Sequence, residues 1–124
     1  MRYKILVVDD NYAEFTKDLL EERIDADYDL AYDGLEAFNK FRQKFDENSC
    51  YCLIVMDINM PVMNGIDAIT NIRQIDNKTP IIVHSSMTSS QMIQKTLDCG
   101  ANAFVAKGGD LVTQVELHLN ESQY

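Results

Sequence analysis

The chain has 124 residues, of which 46% are hydrophobic and 25% charged, and its formal net charge is −9 at pH 7. This length fits one domain with a single core. The high share of hydrophobic residues excludes a disordered chain. A membrane-embedded chain is excluded because no apolar run approaches the roughly 18 residues of a spanning helix. The acidic charge argues against nucleic acid or anionic lipid as a direct ligand. We therefore expect one domain over residues 1–124, without direct nucleic-acid binding or membrane insertion.

The negative charge is concentrated in one segment. Residues 9–36 contain eleven acidic and two basic residues, which account for the whole net charge. Most of these acids are typical of a solvated helix surface, but Asp9 and Asp10 close an apolar run. The three cysteines are an odd number, and the first residues leave no room for a signal peptide. These features predict reduced thiols in a cytoplasmic protein.

The first half of the chain predicts two strand–helix units and a third strand. Residues 3–8 form a short apolar run, typical of a strand buried on both faces. Residues 11–23 have helical spacing, with an apolar side formed by Tyr12, Phe15, Leu19 and Leu20. A shorter strand at 30–32 precedes a second helix, whose apolar stripe is Leu35, Phe38, Phe41 and Phe45. The most apolar strand, 52–56, ends at Asp57.

The second half continues the alternation. Turn signals at residues 60–61 and 64–65 precede a third helix, marked by Ile66, Ile69 and Ile72. A strand at 81–83 runs into Ser85, and Thr88 or Ser89 can cap a fourth helix that ends before Gly100. The fifth strand, 103–106, ends at Lys107, and Asp110 caps a last helix. Regular alternation with short connections predicts an α/β fold, a doubly wound five-stranded parallel sheet with five helices.

Polar side chains follow four of the five predicted strands. These are Asp9 and Asp10, Asp57, Ser85 and Lys107. Ligands of open parallel sheets bind beyond the carboxyl ends of the strands, so we expect these side chains to converge. Three neighbouring carboxylates require a cation, and Mg²⁺ prefers oxygen ligands and usually takes one or two carboxylates plus phosphate oxygens. The pattern predicts a magnesium site where a carboxylate accepts a phosphoryl group, assisted by the lysine charge and the serine hydroxyl.

Each of these residues has an ordinary structural alternative when taken alone. Asp57 suits a turn or a helix cap, Ser85 a capping hydroxyl, and Lys107 a solvated strand end. Their joint occurrence at four strand ends favours the site.

Four motifs, in this order, resemble those of a response-regulator receiver domain. They are ILVVDDN at 5–11, MDINMPVMNG at 56–65, PIIVHSS at 80–86 and FVAK at 104–107. The offsets of 28 residues from Asp57 to Ser85 and 22 from Ser85 to Lys107 also resemble the family. The resemblance covers the whole chain, whose length is that of a stand-alone chemotaxis regulator. It implies a flavodoxin-like receiver fold in a two-component or phosphorelay system.

The resemblance also implies roles around the phosphoacceptor. Asp57 is expected to take the phosphoryl group from a phosphohistidine on a sensor histidine kinase or histidine phosphotransfer protein. Asp10, Asp57 and the backbone carbonyl of Asn59 are expected to hold Mg²⁺, with Asp9 acting largely through bound water. Lys107 is expected to pair with Asp57 and then with the phosphoryl group.

Two further residues are expected to couple the site to an output surface. Ser85 would swing towards the phosphoryl group, and Phe104 would take the place of the switch aromatic, with a plain core position as its alternative. The phosphoryl group then favours one of two arrangements and presents a face to a downstream protein target. Gly108 departs from the pattern, because receivers commonly have proline there, and it makes the loop after Lys107 more flexible.

Three alternatives accompany this interpretation. A phosphatase with an aspartate nucleophile needs a second carboxylate two positions on, where this chain has Asn59. A flavin-binding module needs a hydroxyl- and glycine-rich loop after the first strand, where residues 9–12 are DDNY. A pseudo-receiver that binds a partner without phosphorylation is opposed by intact Asp10, Asp57 and Lys107. We expect no enzyme activity beyond self-phosphorylation from a donor and slow autodephosphorylation.

Overall fold

Strands and helices alternate along the chain in the computed structural model, which describes residues 2–121. The strands are β1 (Tyr3–Val8), β2 (Ala26–Ala31), β3 (Leu53–Met56), β4 (Ile81–Ser85) and β5 (Ala103–Ala106). The helices are α1 (Ala13–Glu21), α2 (Gly34–Asp46), α3 (Gly65–Ile75), α4 (Ser90–Asp98) and α5 (Leu111–Glu121). All strand pairs are parallel, in the order β2-β1-β3-β4-β5. The predicted doubly wound sheet with five helices is confirmed.

The strand order places a crevice between β1 and β3. The chain continues from β1 outwards to β2 and then crosses back to β3, so the connections leave the sheet in opposite directions at this point. Such a reversal opens a crevice at the carboxyl ends of the two strands. Asp9 and Asp57 are the first residues after β1 and β3.

Two apolar clusters cover the two faces of the sheet. Leu6 and Ile54 belong to the cluster on the side of α2, α3 and α4, where Phe41 is fully buried. Ile5 and Val55 belong to the cluster on the side of α1 and α5. Both faces of the central strands are therefore covered, which explains why β1 and β3 are continuous apolar runs.

The second strand is longer than predicted. It spans Ala26–Ala31 and pairs with β1 from Tyr3 onwards, whereas its sequence indicated only residues 30–32. Charged residues interrupt the apolar pattern by which a strand is recognised. They are tolerated because β2 is an edge strand, in which Asp27 is exposed and Asp29 half-buried. Edge strands commonly carry such charges.

The predicted apolar side of α1 is wrong in part. Leu20 is buried, but the side chains that join it against the sheet are Ala13 and Thr16. Phe15 is 70% exposed and Tyr12 56% exposed. Small side chains let the helix approach the sheet closely, and this turns the larger side chains towards solvent. The side of α1 was therefore not decided by the size of its apolar residues.

Local signals at helix ends were more reliable. Ser89, and not Thr88, caps α4 by accepting the Met92 N–H, and Asp110 accepts the Thr113 N–H at the start of α5.

The three cysteines form no disulfide. Within residues 2–121, no helix combines the length and apolar character needed to cross a membrane.

Candidate functional site

Three carboxylates meet at the carboxyl ends of β1 and β3. One oxygen from each of Asp9, Asp10 and Asp57 lies within 4.8 Å of the others. Asp9 and Asp57 are buried, and Asp10 is half-buried. Val8 and Met56, the last residues of the two strands, are partners in the parallel ladder. The residues that follow them therefore emerge side by side, and the acids predicted from the sequence come together.

The position of Asp57 depends on the close packing of the start of α3 against the first residues after β3. Its N–H donates to the Val8 carbonyl at 2.9 Å, and its Oδ1 accepts the Ile58 N–H at 2.8 Å. The Gly65 N–H donates to the Ile58 carbonyl at 2.8 Å, which brings the first residue of α3 against this segment. A Cβ on Gly65 would lie 2.1 Å from the Asp57 carbonyl oxygen. Only glycine fits this close approach.

The pKa of Asp57 is set by its burial and by the charges around it. Burial raises the pKa of Asp57 above its ordinary value, and the negative charges of Asp9 and Asp10 raise it further. The Lys107 ammonium and the hydrogen bond from the Ile58 N–H act in the opposite direction. One ammonium therefore faces three carboxylates, and a divalent cation would relieve the remaining repulsion.

Lys107 reaches this cluster from the end of β5. Its Nζ lies 2.5 Å from Asp9 Oδ2 and 3.6 Å from Asp57 Oδ2. The sequence predicted the Asp57 contact, but the closer partner is Asp9. The other oxygen of Asp9, Oδ1, accepts the N–H groups of Asn11 and Tyr12, each at 3.0 Å. Protein groups thus contact both oxygens of the Asp9 carboxylate.

Ser85 and Phe104 share one face of the sheet. Ser85 is buried at the end of β4, and its Oγ accepts the Met87 N–H at 3.1 Å. Phe104 lies beside Val83 in the ladder and packs, partly buried, on the side of α2, α3 and α4. His84 is also buried but points to the opposite face, where it forms no dyad with Ser85.

Asn59 stands two residues beyond Asp57 in the loop that leads to α3. Its side chain is exposed. The position is consistent with the expected contribution of its backbone carbonyl, which does not depend on the side chain.

Tyr12 is a residue of the site that the sequence analysis missed. Its ring lies under Lys107, with Nζ 4.8 Å from the ring centroid. The helical pattern assigned Tyr12 to the buried side of α1, whereas it precedes the helix and is exposed. Its position directly after the run of Asp9, Asp10 and Asn11 was the one signal that could have indicated a role in the site.

The donor set fits a magnesium ion. Carboxylate oxygens are hard ligands, and three of them close together in a partly buried crevice favour a small divalent cation. Asp10 is only half-buried, so water, which Mg²⁺ usually keeps among its ligands, reaches this side of the cluster. The chemistry of these residues therefore agrees with the metal expected from the sequence.

Comparison with known proteins decides the family. The profile of the response regulator receiver domain matches residues 5–116. The chain belongs to this family. The chemotaxis protein CheY of Thermotoga maritima is 37% identical to it over 111 residues, which cover 86% of this chain and 87% of that protein.

Solved structures agree with this assignment. The receiver domain of the Francisella response regulator 1452 superposes with a TM-score of 0.82 at 28% identity, covering 97% of this receiver domain and 98% of that chain. A chain of the CheX–CheY–BeF₃–Mg²⁺ complex from Borrelia burgdorferi gives a TM-score of 0.78 at 25% identity, covering 98% and 90% of the two chains. The comparisons favour a receiver domain of a two-component system over a phosphatase or a pseudo-receiver.

Proposed function

We propose that this receiver domain accepts a phosphoryl group on Asp57 and uses it to switch a protein-interaction face. The observation that carries the proposal is the cluster of Asp9, Asp10 and Asp57, with the Lys107 ammonium 3.6 Å from Asp57. Family membership and the similarity to CheY of Thermotoga maritima support it. The donor is a phosphohistidine on a sensor histidine kinase or a histidine phosphotransfer protein.

In the transfer step, an Asp57 carboxylate oxygen attacks the phosphorus of the phosphohistidine. The new P–O bond forms as the P–N bond breaks, and the imidazole nitrogen of the donor keeps the electron pair and takes up a proton. Lys107 stabilises the negative charge on the phosphoryl oxygens, and such positioning and charge neutralisation are what phosphoryl transfer requires. Water later attacks the same phosphorus and releases inorganic phosphate, a slow autodephosphorylation.

Three groups would hold Mg²⁺ in this site. They are the carboxylates of Asp10 and Asp57 and the backbone carbonyl of Asn59, with Asp9 acting through bound water. The ion supplies charge neutralisation for the carboxylates and the incoming phosphoryl group. The carboxylate cluster supports this assignment, as does the presence of magnesium in the named Borrelia complex.

Ser85 and Phe104 couple the site to the output face. The Ser85 hydroxyl turns from the Met87 N–H towards the phosphoryl oxygens. Phe104, on the same face of the sheet, moves into the space that the hydroxyl leaves. The phosphoryl group contacts only one of the two arrangements and therefore shifts their populations towards it. The output is a contact with a downstream protein target.

The exposed side of α1 supports a protein partner beside the site. Tyr12, Phe15 and Leu19 are exposed large apolar side chains, and acidic residues surround them in the segment that carries the net charge. An apolar stripe with an acidic rim fits the donor protein if its surface is apolar with a basic rim. We assign the domain to the cytoplasm, where such signalling partners act, and assign it no enzyme activity on another substrate.

Incubation with a small phosphodonor such as acetyl phosphate and Mg²⁺, followed by intact-mass measurement, tests the proposal. We expect one phosphoryl adduct that depends on Mg²⁺, disappears on treatment with hydroxylamine and is absent in Asp57→Asn. The matched control is Asp46→Asn, an exposed charge at the end of α2, which should be phosphorylated like the wild type. An adduct that persists in Asp57→Asn would refute the phosphoacceptor, and one formed without Mg²⁺ would refute the metal assignment.

A further inference from the structure

We propose that Tyr12 is a positioning residue that holds the Lys107 ammonium at the phosphoryl site through a cation–π contact. The inference rests on the proposed function, because it assigns Lys107 to the phosphoryl oxygens. The distance of 4.8 Å from Nζ to the ring centroid lies within the range of about 6 Å over which the ring attracts a cation.

Asp9 holds both partners of this contact. Its Oδ2 binds the Lys107 ammonium, while its Oδ1 accepts the Tyr12 N–H at 3.0 Å. One buried carboxylate therefore fixes the backbone that carries the ring and the charge that the ring faces. The contact follows from this shared anchor, and it is not a chance approach of two solvated side chains.

The loop after Lys107 offers little support of its own. Gly108 has a φ of 90°, and a Cβ built on it meets no atom within 4 Å. The Lys107 N–H is held by the Ser85 carbonyl at 3.0 Å, but the lysine side chain is long and flexible. Side-chain contacts must therefore locate the ammonium, and these are Asp9, Asp57 and the ring of Tyr12.

The ring differs from the two carboxylates in one respect. A divalent cation at the site would compete with Lys107 for the oxygens of Asp9 and Asp57, whereas the ring of Tyr12 does not bind magnesium. The ring therefore remains available to the ammonium when the carboxylates turn to the metal. It keeps the ammonium at the mouth of the crevice, where a phosphoryl group arrives.

Two substitutions separate this role from a packing role. Tyr12→Phe keeps the aromatic face, and Tyr12→Leu keeps an apolar side chain without it. We expect phosphorylation by acetyl phosphate to slow about two- to tenfold in Tyr12→Leu and to remain near the wild-type rate in Tyr12→Phe. Tyr32→Leu removes another exposed aromatic residue and should phosphorylate like the wild type. Because Tyr12 is itself exposed, both of its variants should fold, and Tyr12→Gln is a second non-aromatic replacement.

A spectroscopic measurement reports the contact without phosphorylation. An aromatic ring shields protons above its face, so the ε-methylene resonance of Lys107 should lie upfield of the other lysines. The shift should persist in Tyr12→Phe and vanish in Tyr12→Leu, with Lys107→Met identifying the resonance. An unshifted resonance in the wild type, or a wild-type phosphorylation rate in Tyr12→Leu, would overturn the proposal. Absence of phosphorylation in the wild type would instead refute the proposed function, and with it the role of Tyr12, even if the shift is observed.

Discussion

Lys107 and Asp9, which are 98 residues apart in the chain, form an ion pair with a 2.5 Å distance between Nζ and Oδ2. The pair closes one side of the carboxylate cluster, and Lys107 lies 3.6 Å from Asp57 on the other side. The ammonium therefore occupies part of the negative field that would attract a metal ion. In the proposed function, lysine and magnesium would compete for these carboxylates until a phosphoryl group adds new negative charge.

The first prediction concerns this competition. Replacing Lys107 with Met removes a positive charge beside the carboxylates, so the affinity for Mg²⁺ should rise, on the order of tenfold. Isothermal titration calorimetry at constant ionic strength measures the dissociation constant. Lys78→Met, an exposed lysine before β4 at the opposite end of the sheet, should leave the affinity unchanged. Equal or weaker binding by Lys107→Met would contradict the competition.

The second prediction concerns the close packing of the start of α3 against Asp57. Gly65→Ala places a methyl group against the backbone of Asp57 and Ile58, which cannot rotate away as a side chain can. We expect the free energy of unfolding in urea to fall by about 3 kcal/mol and phosphorylation of Asp57 to be impaired. Thr70→Ala, on the exposed side of the same helix, should change stability by less than about 0.5 kcal/mol. Wild-type stability of Gly65→Ala would show that the close approach is not required.

The third prediction concerns backbone strain at Val62. This β-branched residue has a φ of 68°. It is the middle residue of a three-residue turn, in which the Met63 N–H donates a hydrogen bond to the Pro61 carbonyl at 2.7 Å. Such a conformation is unfavourable for valine and accessible to glycine. Because Val62 is 78% exposed, Val62→Gly loses little packing and should raise the free energy of unfolding by about 0.5–1 kcal/mol. Val62→Ala keeps the backbone restriction, so a gain as large as that of glycine would argue against strain as the cause.

The fourth prediction concerns the pH dependence of stability through His84. Burial, and to a smaller extent the Lys107 charge, lower the pKa of His84 from 6.5 to about 4 against the opposing effect of Asp9. Between these two values the unfolded chain binds a proton that the folded chain does not. The free energy of unfolding must therefore fall as the pH drops through this window, by up to about 3 kcal/mol, with the full loss reached below pH 4.

Urea unfolding from pH 7 to pH 4 checks this sign. The matched variant is His84→Val, which cannot titrate, and the difference in slope between the two proteins isolates the histidine from the carboxylates. The wild type should lose stability faster than the variant on acidification. Parallel curves would mean that His84 keeps an ordinary pKa in the folded state.

Residues that act through their position along a strand were predictable from the sequence. An apolar run followed by a polar side chain marks a strand end, and the ends of parallel strands meet at one edge of the sheet. The positions of Asp9, Asp57, Ser85 and Lys107 at strand ends are predictable in this way. The capping residues Ser89 and Asp110 were also predictable, because a cap depends on atoms only a few residues away.

Residues whose role depends on packing between distant segments were not predictable. The side of α1 that faces the sheet was assigned to large apolar residues, but Ala13 and Thr16 make that contact. The sequence predicts too short a β2, because its charged residues interrupt the apolar pattern. Those charges are tolerated because β2 lies at the edge of the sheet. The contact between the Tyr12 ring and Lys107 is not predicted either, because it joins two segments that are distant in the chain.

The apolar run that Asp9 and Asp10 close shows where the sequence by itself was sufficient. The sequence determined the strand that ends at Asp9 and Asp10, the class of fold and the polar residues that stand at the strand ends, because these depend on residue type and spacing. The tertiary structure decided which carboxylate binds Lys107 and that Tyr12 faces its ammonium. Those contacts join segments that meet only when β1 and β5 stand in the same sheet, and their distances of a few ångströms depend on the packing of the whole domain.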